Sequence, residues 1–128
     1  MRKIRLFMFA ACTLLFAACG KQTVKIITPP DASNRILFGA EQLQTTLDKA
    51  GYQVVMQQGD TIFSNPDVRT ILLAETNDTT LKKEGFQITT VGNLTKVSGR
   101  DGSGVMYGSR ELIGRVGSSK GKQNLPER

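Results

Sequence analysis

The chain has 128 residues, with 17 basic and 11 acidic side chains, a formal charge of +6 and no histidine. That length can bury one modest core and not two, and the missing histidine excludes Ser-His and Cys-His catalysis and histidine-based zinc sites. Ten basic and ten acidic residues cancel within 23–116, leaving the positive excess at the two ends, so no basic groove for nucleic acid is indicated and no nucleic-acid partner is expected.

Residues 1–18 carry the three parts of an export signal: the cations Arg2, Lys3 and Arg5, an apolar stretch over 6–16, and the small residues Ala17 and Ala18 before Cys19. The apolar run is too short for a membrane span, which needs about 20 residues. The ending Leu14-Leu15-Phe16-Ala17-Ala18-Cys19 resembles the lipobox of bacterial lipoproteins, although Phe16 replaces the usual leucine. The resemblance implies cleavage after residue 18, a lipid (palmitate-type) anchor on Cys19 and residence at the bacterial cell envelope. Phe9-Ala10-Ala11-Cys12 repeats the pattern, but cutting there leaves too little apolar core. Cys12 departs with the signal and Cys19 is taken by lipid, so no disulfide framework is expected.

After a short tether at 19–22, one domain is expected over 23–116. Val24, Lys25, Ile26 and Ile27 read as a strand stopped by Pro29-Pro30. A helix follows, with cap side chains among residues 31–34, with Ile36, Ala40, Leu43, Leu47 and Ala50 at helical spacing, and with Gly51 as its stop. Tyr52, Val54 and Met56 alternate with polar neighbours, as in a half-buried strand. The continuous run Ile71-Leu72-Leu73-Ala74 predicts a central strand covered on both faces. Phe86 and Ile88, the turn Gly92-Asn93 and the return over 94–98 predict a hairpin. The last helix starts near Asp101 or Ser103 and places Val105, Ser109, Leu112, Ile113 and Val116 on one face, with Gly108 and Ser109 allowing close approach to a sheet. Residues 117–128 have the composition of a disordered linker. The sum is an α/β fold: a mixed β-sheet with two main helices packed on one face.

Val97, Gly99, Asp101, Gly104, Tyr107, Gly108 and Leu112 form a block, preceded by Phe86-Gln87-Ile88-Thr89, that resembles the N-terminal domain standing before the barrel of family 20 β-N-acetylhexosaminidases and of α-glucuronidases. The likeness runs over roughly 23–116, nearly the whole of the chain expected after cleavage. It implies a domain that supports a catalytic barrel, tied to carbohydrate metabolism, with a hydrolase activity that belongs to the barrel. The family's Asp-Glu catalytic pair has no counterpart, since no Asp-Glu dipeptide occurs.

Read as physical chemistry, Gly99 and Gly102 allow positive φ where a strand turns into a helix, Asp101 can cap that helix, and Tyr107 can bury its ring while keeping its hydroxyl in water. A phosphate cradle at Gly102-Ser103-Gly104 is the rival reading. It fails because Gly108 comes one residue late for the dinucleotide fingerprint and no strand follows the helix. Asp60, Asp67, Glu75, Asp78, Asp101 and Glu111 are candidate carboxylates, and none has the apolar setting that raises a catalytic pKa. No catalytic, metal or cofactor site is therefore expected. Phe38, Tyr52, Phe86 and Tyr107 read as core or rim aromatics, whereas Phe63, within the irregular stretch 58–69, is a candidate glycan contact. Asn77-Asp78-Thr79 and Asn93-Leu94-Thr95 read as turns. The expected function is a membrane-anchored, non-catalytic accessory domain lacking its barrel. Two alternatives stand beside it: an incomplete glycoside hydrolase, suggested by the linker-like end, and a small glycan- or partner-binding lipoprotein.

Overall fold

A computed structural model of the chain describes residues 22–59 and 67–118. The elements are β1 (Thr23–Thr28), α1 (Asn34–Lys49), β2 (Gln53–Gln58), β3 (Arg69–Glu75), β4 (Phe86–Val91), β5 (Leu94–Gly99) and α2 (Gly102–Ser118). They make a five-stranded mixed sheet in the order β2-β1-β3-β5-β4. Strands β2, β1, β3 and β5 are mutually parallel, and β4 closes one edge as the antiparallel partner of β5.

Local signals account for the elements. Pro29 ends β1, its carbonyl accepting the Ala32 N–H in a tight turn, and α1 then buries Ile36, Gly39, Ala40, Leu43 and Leu47 on one stripe. Gly51, at φ +99°, takes the left-handed conformation that stops this helix. At the hairpin, Gly92 has φ +58° and Asn93 does not, the arrangement of a two-residue turn with glycine first. Thr90 and Thr95 hydroxyls meet across that hairpin at 3.1 Å.

Both helices lie on one face of the sheet. Val24, Ile26, Ile71, Leu73 and Val97 project toward them and join Leu43, Leu47, Val105 and Leu112 in a single core. The helices press together where residues are small: a Cβ on Gly39 would stand 3.0 Å from the Ser109 hydroxyl. That hydroxyl is fully buried and donates to the Val105 carbonyl at 2.8 Å, which removes the cost of burying it. Ser109 thus serves the contact between the helices, and Gly108 the contact with the sheet.

Strand β3 is the middle one, as its apolar run predicts, but full cover reaches only Ile71 and Leu73. Leu72 and Ala74 point away from the helices and are half-buried, because both helices occupy the other side. Register places Lys25, Ile27, Leu72 and Lys96 together on that second face. Helix α2 also runs to Ser118, two residues into the stretch that composition marks as a tail.

Candidate functional site

The block at 99–112 is where β5 turns into α2, and its glycines are spaces that neighbouring backbone or side chains fill. A Cβ on Gly99 would stand 2.2 Å from the Val105 nitrogen, and one on Gly104 would stand 2.3 Å from the Gly85 carbonyl oxygen. On Gly108 it would meet Val97 Cγ1 at 2.5 Å and the Phe86 ring at 3.2 Å. Gly102 would bring its Cβ to 2.5 Å from the Ser33 hydroxyl. The sequence expectation of positive φ at Gly99 and Gly102 is not met. Among the described glycines only Gly51, Gly59 and Gly92 have positive φ, so close approach, and not backbone handedness, requires glycine in this block. The same distances leave no room for a phosphate beside Gly104, which already abuts the chain at Gly85.

Asp101 pins the corner. Its Oδ1 accepts the Gly104 N–H at 2.8 Å, capping α2, and its Oδ2 accepts the Glu84 N–H at 3.1 Å. Glu84 has φ +62°, a strained value for a residue with a side chain, and the Asp101 bond helps hold it there. The Gly104 and then the Glu84 hydrogen bonds hold the Asp101 carboxyl below its usual range, with lesser help from Lys83 and Arg35. Asp78 is lowered for a similar local reason, by bonds from the Thr80 hydroxyl and N–H. Neither shift marks an acid catalyst, which needs a raised pKa. Burial raises the Tyr52 phenol, partly offset by Arg69.

Leu112 is in the core, but Tyr107 is 37% exposed, contrary to the expectation that its ring is buried. Helical geometry explains this: at about 100° per residue, Tyr107 lies opposite the buried stripe of Val105, Ser109, Leu112 and Val116. Phe38, read from sequence as core or rim, is 50% exposed. It lies two residues from Ile36, about 200° around α1, and that offset is the signal that marks it as outward. Phe38, Gln42, Arg110, Ile113 and Gly114 line a groove between the helices. Tyr107 shares the outward ridge of α2 with Arg110 and Gly114. Cys19 and Phe63, the expected lipid and glycan positions, lie outside the described residues, as does Asp60. No helix of the described residues is long and apolar enough to cross a membrane.

The described residues thus form a two-layer α/β domain whose β5–α2 corner is packed through glycines. Its sequence matches the model of glycosyl hydrolase family 20, domain 2, over residues 17–126, and the chain belongs to that family. Among solved structures it is similar to a GH138 enzyme targeting pectin rhamnogalacturonan II, with 36% identity and a TM-score of 0.65 over 83% of this chain. The chain spans 14% of the length of that enzyme. No match is found among curated proteins.

Proposed function

We propose that this chain is a non-catalytic accessory domain of glycoside hydrolases, held at the bacterial cell envelope through lipid on Cys19 and docked to a catalytic barrel by the outward face of its two helices. The observation that carries the reading is the exposure of Phe38 beside a groove lined also by Gln42, Arg110 and Ile113, with Tyr107 exposed elsewhere on α2, where solvent should select polar residues. A single exposed apolar side chain is ordinary. An exposed aromatic with an arginine and a half-buried isoleucine beside one groove has the composition of an interface centre. Family membership supplies the class of partner, and the small share of the GH138 enzyme that the chain covers is consistent with catalysis residing elsewhere.

Photo-crosslinking tests the docking. A benzophenone amino acid replaces Phe38 in cells of the source bacterium, and mass spectrometry identifies the crosslinked peptides. Glycoside hydrolase barrel peptides joined at position 38, and absent when the probe replaces Val91 on the far strand, support the reading. Equal yields at both positions, or crosslinks to other classes of protein only, refute it.

A further inference from the structure

The cavity richest in chemistry lies away from the helical groove and shares no lining residue with it, so this inference and the docking reading fail separately. It opens at the carboxyl ends of β1 and β3, has a volume of about 370 Å³, and is lined by Pro29, Ile36, Leu72, Asp31, Ser33 and Glu75 among others. The chain leaves β1 through α1 toward β2 on one side, while β3 stands on the other side and leads on to β4. The connections therefore part above the sheet, which opens a crevice at the position where open α/β sheets bind ligands. The volume falls within the range of small-molecule sites, about 300–1,000 Å³.

From this crevice we infer that the domain binds a single neutral sugar unit. Three polar groups converge there. Ser33 sits at the N-cap of α1 without a side-chain capping bond, which leaves its hydroxyl available. Ser33 Oγ and Glu75 Oε1 lie 2.5 and 3.5 Å from the point where a Cβ on Gly102 would stand, so both reach one spot between β1, β3 and the start of α2. Asp31 supplies a second carboxylate to the lining. Carboxylates accept from the hydroxyls of a sugar with more strength than neutral acceptors, and the half-buried Pro29 and Leu72 offer apolar surface for the C–H face of a ring. Charge narrows the class. No lysine or arginine is among the described lining residues. Uronates, sulfates and phosphates would therefore meet two like charges in the lining and no cation among its described residues.

The test uses the full purified chain with D-glucose, N-acetyl-D-glucosamine and L-rhamnose as neutral probes and D-galacturonate as the anionic one, read by saturation-transfer-difference NMR. The expected result is transfer to at least one neutral sugar and none to galacturonate. Asp31→Asn, Glu75→Gln and Ser33→Ala should each weaken binding by about threefold to tenfold, the loss of one hydrogen bond. These residues are exposed, so their melting temperatures should stay at the wild-type value, and Phe38→Asp should leave sugar binding unchanged. Absence of transfer to every neutral sugar, galacturonate binding as well as they do, or affinity untouched by all three substitutions would overturn the proposal.

Discussion

Two glycine-to-alanine substitutions in the same helix should change stability in opposite directions. A methyl group on Gly104 would lie 2.3 Å from the Gly85 carbonyl oxygen and 3.2 Å from the Gly99 Cα. Both neighbours are backbone, so no rotamer change relieves the contact and either the 82–85 turn or the start of α2 must move. Overpacking costs about 1–3 kcal/mol where side chains can adjust, and the absence of such adjustment places this site near the top of that range. Alanine returns about 0.5–1 kcal/mol through helix propensity. The net loss is about 2 kcal/mol, a fall in Tm of about 8–16 °C for a domain of this size. Gly114 has nothing within 4 Å of its notional Cβ. Gly114→Ala should therefore keep only the propensity gain and raise Tm by about 2–8 °C. Gly108→Ala should fall between, because its closest neighbours, Val97 Cγ1 and the Phe86 ring, are side chains that can turn. Thermal unfolding followed by circular dichroism reads all three. A Gly104→Ala protein melting at or above wild type, or a Gly114→Ala protein as unstable as Gly104→Ala, would refute the account of the corner as a backbone contact.

Asp101 links stability to pH: its folded pKa is depressed, so its contribution is present above the unfolded carboxylate pKa and is lost as the pH falls through the lower, folded one. Wild-type Tm should thus drop steeply on acidification below the ordinary carboxylate range, and Asp101→Asn should show a lower Tm at neutral pH with a flatter acid limb; parallel limbs would assign the acid sensitivity elsewhere. Cys19→Ser should abolish incorporation of a clickable fatty acid and leave the precursor uncleaved, whereas an unlabelled wild-type protein would end the anchoring proposal. The purified chain should hydrolyse neither aryl N-acetylglucosaminides nor glucuronoxylan fragments, because a (β/α)₈ barrel takes about 250 residues and the chain has 128. Turnover lost on mutating Glu75 or Asp101 would make it a minimal enzyme instead.

What the sequence determined by itself was set by neighbours along the chain. The stripe Ile36, Ala40, Leu43 and Leu47, the stop at Gly51, the turn at Gly92-Asn93 and the cap at Asp101 are governed by period, backbone handedness and hydrogen bonds over a few residues, and each lies where those signals place it. The family block was legible for the same reason, as a compact run at 97–112. Tertiary structure decided what depends on elements distant in the chain. Gly99 and Gly102 look like turn glycines in isolation, and only the approach of Val105 and Ser33 shows that they are spaces. Glu75 and Ser33 are unremarkable polar residues 42 positions apart, and the strand order that sets β1 beside β3 brings them to one crevice. Phe38 and Arg110 share a groove because Gly39 and Ser109 let two helices touch. Such contacts follow from long-range packing, which no local period encodes.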